Sequence, residues 1–179
     1  MSLVQDPERR VEAPEPSLLA FYRGTGTDRA GRRLAAIWAF SHLQLEATHD
    51  YIQWLFPLPT RSAFDPSAPV LDARTRAAFA AEPGLRERLL RSLDVMLAFY
   101  GLARDGERVA PRPDFEARAR HWLVAGDHNH RRLTRIVRAL RLLGCETEAD
   151  ALRACLITIA AERGATAVSP TTLAHWRAA

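Results

Sequence analysis

The chain has 179 residues, 47% hydrophobic and 26% charged, which fits one domain with enough interior for a sizeable core. All 25 basic residues are Arg, and a net charge of +4 permits only weak attraction to nucleic acid or anionic surfaces. The longest apolar run, Ala154 to Ala161, is about eight residues against the roughly 20 that span a bilayer, which excludes a transmembrane helix.

No N-terminal stretch has the charged, apolar and cleavage regions of a signal peptide, so a soluble, cytoplasmic protein is expected. Cys145 and Cys155 have neither metal spacing nor the density of a disulfide framework, and read as reduced, partly buried thiols. Ala and Arg richness without Lys suggests a bacterial genome of high G+C content.

Residues 1–16 are polar, with Pro7, Pro14 and Pro16, and read as a flexible arm ahead of a helical domain over 17–179. Ser17 can cap a short helix, Leu18 to Arg23. A turn over Gly24 to Asp28 leads to a second helix, Arg32 to Phe40. Ser41 followed by Gln44 is a capping-box pattern that opens a third helix, His42 to Leu55, stopped by Pro57. At 100° per residue, Leu45, Thr48, Tyr51, Ile52, Leu55 and Phe56 share one broad side, and Leu43, Ala47 and Trp54 lie opposite. The remaining stripe is Glu46, His49, Asp50 and Gln53. A helix this apolar is central, so its stripe is either the water-facing side or a polar site inside the fold.

After a loop holding Pro59, Pro66 and Pro69, Asp72 can cap a helix to Ala81. Pro83 then opens a long helix that Gly101 ends, with Leu85, Leu89, Leu93, Met96 and Tyr100 inward. Asp105-Gly106 is a turn signal, and Glu107 to Ala110 could form a brief extended or hairpin piece. Asp114 can cap a helix to Val124. Asp127 can cap His128 to Leu143, with Gly144 just past its end. Thr147 can cap Glu148 to Arg163, and Ser169-Pro170 opens the last helix. No run alternates with period two beyond a few residues. The fold class is all-α: a single compact domain of roughly eight helices, not a simple up-down bundle.

Glu46-x-x-His49 puts a carboxylate and an imidazole on one helical face, a unit that di-iron bundles use twice. With nitrogen from His128 and His130 it could ligate zinc or iron, and His49 with Asp50 or Glu46 could orient a general base. A metal-dependent or other enzyme using Glu46, His49 and His128 is therefore an alternative. No nucleophile motif accompanies these residues, and no cofactor is implied. Arg131, Arg135 and Arg138 form a stripe at i, i+4, i+7 on the helix that His128 opens. It is either a solvated face paired with acids or an anion site. A helix N-terminus with free N–H groups would favour the anion. Nucleic-acid association through this Arg-rich helix is a further alternative, disfavoured by the lack of interleaved aromatic residues.

Four segments carry a resemblance. They are Leu45-Glu46-x-x-His49-x-Tyr51-Ile52-Gln53-Trp54-Leu55-Phe56-Pro57-Leu58, Phe21-Tyr22-Arg23 with Arg29-x-Gly31, Met96-Leu97-x-Phe99-Tyr100-Gly101, and His128-Asn129 with Arg132-x-Thr134-Arg135-Ile136 and Leu142-x-Gly144. Together they resemble the conserved domain of the opioid growth factor receptor family over roughly residues 18 to 179. The resemblance implies a non-enzymatic domain, a domain-only member, that binds a peptide; the family's named ligand is Met-enkephalin. His130 and Arg131 depart from the animal pattern, which has Asn and an apolar residue there. The family supplies no catalytic residues.

The expectation is one polar ligand-binding site built from Glu46, His49, Gln53, Trp54, His128, Asn129, Arg132 and Arg135. Its stripe and helix start should lie within about one helix diameter, roughly 10–12 Å. A zwitterionic peptide would place its amine on Glu46 and its carboxylate on Arg donors. The partner is then a small peptide or anionic ligand.

Overall fold

The computed structural model describes residues 17–62 and 65–179; the expected arm over 1–16 lies outside them. Among the described residues there are ten helices and one two-stranded antiparallel sheet. In order these are α1 (Leu18–Arg23), α2 (Leu34–Trp38), α3 (His42–Ala47), α4 (Ile52–Leu55), α5 (Ala73–Ala81), α6 (Pro83–Tyr100), β1 (Leu102–Asp105), β2 (Arg108–Pro111), α7 (Phe115–Ala119), α8 (His128–Leu142), α9 (Glu146–Arg163) and α10 (Pro170–Arg177). The predominantly α-helical reading holds.

The three long helices bury one apolar face each: in α6 the predicted Leu85, Leu89, Leu93, Met96 and Tyr100; in α8 Leu133, Ile136, Val137 and Leu140; in α9 Leu152, Cys155, Leu156 and Ile159. Gly101 ends α6 with φ +77, and a Cβ there would stand 2.9 Å from the Phe115 Cα. Both conformation and space therefore require glycine. The chain leaves α6 into the hairpin, where Leu102 pairs with Pro111 and Asp105 with Arg108. The possible hairpin piece is thus real, and it begins five residues earlier than the sequence marked. Both cysteines are free and buried, and burial pushes each thiol up to about 11. No helix among the described residues is long and apolar enough to cross a membrane.

The central helix differs from expectation. The capping box at Ser41 forms, and Pro57 follows the last turn, but the helix breaks between Ala47 and Ile52. Thr48 is extended, with φ −94 and ψ 130. The carbonyls that would have continued the helix turn to tertiary donors. Leu45 O accepts from Tyr51 Oη at 2.8 Å and Arg132 Nη1 at 2.9 Å, and Thr48 O accepts from Arg132 Nη2 at 2.9 Å. Thr48 N still donates to Gln44 O at 3.0 Å, and beyond it a buried guanidinium that satisfies several carbonyls at once offsets the helical bonds lost.

Smaller corrections have local causes. Thr147 is not a cap: Gly144, at φ +81, turns the chain directly, and α9 begins at Glu146 with Glu146 and Glu148 in its positively polarised first turn. α7 is shorter than predicted and gives way to tight turns that carry Trp122 into the core. α2 is likewise trimmed at both ends.

Candidate functional site

The turn between α3 and α4 packs against the start of α8, and Arg132 is the hub. Only 6% exposed, it donates to Leu45 O, Thr48 O and the Asn129 side-chain oxygen, and it meets His49 Nδ1 at 2.9 Å. Its charged carbon stands 5.6 Å from the centre of the Tyr51 ring. Asn129 is fully buried and used at both ends. Its Nδ2 donates to Glu46 Oε2 at 3.1 Å, and its oxygen accepts from Tyr100 Oη at 3.2 Å. Those partners fix which way the amide points, since phenol and guanidinium donate and a carboxylate accepts. The other Glu46 oxygen lies 3.4 Å from His128 Nε2, and the His49 and His128 rings meet edge to face at 5.3 Å. Burial pushes Tyr51 up to about 12 and Tyr100 well above its ordinary value, so both stay phenols and donors.

Glu46, His49, His128, Asn129 and Arg132 therefore meet within hydrogen-bond and ring-contact distances. They form a knot whose buried members find most of their partners within it. Two sequence expectations need correction. Glu46 has both oxygens engaged and does not line the neighbouring cleft, so it is not placed to take a ligand amine there. The α8 N-terminus is not open: Asp127 accepts from Asn129 N at 2.8 Å through its side chain and from His130 N at 3.2 Å through its carbonyl. Trp54, 4% exposed, packs edge-on against Phe21 at 5.3 Å and lines, with His49, Asp50, Gln53 and Asp65, a second cleft beside the knot. As for a metal, no three His, Cys, Asp or Glu side chains are grouped to hold one among the described residues. Asp50 pairs with Arg32 at 2.9 Å. His130 points away from His128 into the core, between the rings of Trp122 at 6.4 Å and Trp176 at 5.4 Å; the Trp122 backbone lies near its ring, but among the described residues neither ring nitrogen makes a hydrogen bond of good geometry. Burial lowers its pKa; the Trp122 backbone and the Asp127 carboxylate pull the other way without overcoming it.

Beside the knot opens a cleft of about 450 Å³, within the usual range for small-ligand sites. Ile52 and Leu58 contribute apolar wall, and His49, Gln53, His128, Arg131, Arg132, Thr134, Arg135, Arg138 and His175 contribute polar edges. Among the described residues, no Asp or Glu lines it. Arg135 gives one N–H to Phe56 O at 3.1 Å, and its pKa is lowered by burial with no carboxylate opposing. Gln53 is 7% exposed, and its Oε1 has no hydrogen-bond partner. The Arg stripe and Gln53 were visible in the sequence. His175 arrives from the last helix, and no spacing signalled it.

The family model of the opioid growth factor receptor conserved region matches residues 28–172. The chain is 38% identical over 112 residues to the mouse opioid growth factor receptor, covering 61% of this chain and 17% of that protein. It is 35% identical to the human receptor over 112 residues, again 61% of this chain and 16% of that protein. To the Xenopus tropicalis opioid growth factor receptor-like protein 1 it is 32% identical over 111 residues, 61% of this chain and 21% of that protein. The chain thus spans less than a quarter of the length of these relatives. No solved structure matches it. By the match over residues 28–172, this chain belongs to the opioid growth factor receptor family through that family's conserved region.

Proposed function

We propose that this chain is a non-enzymatic binding domain that takes a short peptide or similar small ligand in the cleft between α4 and α8, with the ligand's anionic end on Arg135 and Arg138. The relatives are named receptors for a growth factor, which supports a ligand-binding role. The observation that carries the reading is the cleft wall itself: cationic, free of acidic side chains among the described residues, and backed by Ile52 and Leu58. A guanidinium half-withdrawn from water without an acid gains most from an anion that enters with the ligand. Gln53 Oε1 would accept the ligand's N–H group. The knot built on Arg132 holds this wall in place.

The test is calorimetric titration with Met-enkephalin and with the same peptide amidated at its C-terminus. The free acid is expected to bind more tightly, by roughly tenfold for one charged hydrogen-bonded contact. Arg138→Ala should erase that difference. Equal binding of the two peptides contradicts the assignment of the anionic end.

A further inference from the structure

We infer that the anion read by this cleft is a phosphomonoester on a small organic ligand. The inference rests on the cleft being the binding site. It goes further by fixing the ligand's charge, the group beside that charge and its apolar carrier.

The charge comes from the balance around the cleft. Elsewhere among the described residues, guanidinium groups commonly face carboxylates: Arg23 with Glu82, Arg104 with Asp94, Arg141 with Asp150. Arg135 and Arg138 in the cleft differ from these pairs. They lie i, i+3 on one helix, so their side chains rise side by side. Burial is the one influence that shifts Arg135, and no acid among the described residues lines the walls around either residue. Two neighbouring guanidinium groups without counterions match a group of charge near −2 with three terminal oxygens. A carboxylate brings one charge and two oxygens. A phosphomonoester carries roughly −1.5 to −2 at neutral pH, and forked guanidinium donors suit its oxygens.

The organic carrier follows from the opposite wall. Ile52 and Leu58 offer apolar surface that inorganic phosphate cannot use. Gln53 lines this cleft and the one beside it, and its Oε1 is buried with no donor among the described residues, a condition that costs free energy until a ligand N–H or O–H reaches it. A phosphate joined to an apolar or ring-bearing body with a nearby amide or hydroxyl satisfies all three walls. The recognition is non-covalent.

The experiment is calorimetric titration of the full chain at pH 7.5 with a matched series: N-acetyl-O-phosphotyrosinamide, its sulfate ester, N-acetyltyrosinamide, N-acetyltyrosine as the free acid, and inorganic phosphate. The phosphate ester is expected to bind at least roughly tenfold more tightly than every other member, since the sulfate keeps the shape with one charge less. Arg138→Glu, a change at an exposed position, should abolish binding. Gln53→Leu should weaken the phosphate ester and leave inorganic phosphate unchanged. Melting curves of both variants confirm folding. Equal affinity for the free acid, the sulfate ester or inorganic phosphate overturns the phosphomonoester reading. Binding of none of the series, with Met-enkephalin still bound, overturns this inference alone; no binding of either kind overturns the proposed function with it.

Discussion

Arg132 Nη2 stands 2.9 Å from His49 Nδ1, and a guanidinium can only donate, so the imidazole accepts there and carries its proton on Nε2. The contact is one of several that the same guanidinium makes to the α3–α4 turn. Arg132→Ala should therefore destabilise the domain by about 3 kcal/mol, because it strips donors from buried carbonyls. Arg132→Lys should recover little, since an ammonium cannot span Leu45 O and Thr48 O together. His49→Ala leaves those carbonyls held and should cost under about 1 kcal/mol. Urea unfolding followed by circular dichroism ranks the three.

Asn129 is the second fixed point. Asn129→Asp sets a carboxylate against Glu46 and should cost roughly 2–4 kcal/mol at pH 7.5. Tyr100→Phe removes only the phenol that donates to Asn129 and should cost about 1 kcal/mol. If Asn129→Asp melts within a degree of the wild type, the Glu46–Asn129 bond is not formed in solution.

His130 makes stability depend on acid in one direction. Its pKa in the fold lies below 6.5, so between that lowered value and 6.5 the unfolded chain binds more protons than the folded one. Stability is full above about pH 6.5 and falls as pH drops below it. His130→Phe keeps a ring between Trp122 and Trp176 and loses no hydrogen bond from the imidazole. It should melt at or above the wild-type temperature at pH 7.5 and lose much of the decline between pH 6.5 and 5. His42, also lowered by burial, contributes in the same direction. An unchanged slope in His130→Phe contradicts this.

Gly101 and Gly144 separate backbone strain from collision. Both have φ near +80. At Gly144 a Cβ would meet only the Arg86 Cδ, at 3.7 Å, so Gly144→Ala should cost about 1–2 kcal/mol from conformation alone. At Gly101 it would also collide with the Phe115 backbone, and Gly101→Ala should cost clearly more. Equal melting temperatures for the two variants would show that α7 yields.

What the sequence made legible is what local pattern decides. The long helix α6 was readable because its apolar band, Pro83 and Gly101 all agree. The break at Thr48 was not, because the groups that impose it sit on Arg132, 84 residues further along the chain. The same limit governs the site. Glu46, His49, His128, Asn129 and Arg132 share their shapes and charges across two segments, and their meeting could be anticipated. That the knot would use up Glu46, leaving the cleft to Gln53, Arg135 and Arg138, depends on distances no spacing encodes. His130 looked like a partner of His128, but residues two apart on a helix point roughly 200° apart. The family match was carried by whole segments, several of which turn out to build the knot.

The most direct measurement is an amide-resolved NMR titration of the full chain with Met-enkephalin and with N-acetyl-O-phosphotyrosinamide. The predicted result is a saturable set of shifts at Ile52, Leu58, Thr134, Arg135, Arg138 and His175, together with the Gln53 side-chain amide protons, and absent in Arg138→Glu. Saturable shifts on another face, with the Gln53 amide unmoved, would contradict the assignment of this cleft as the ligand site.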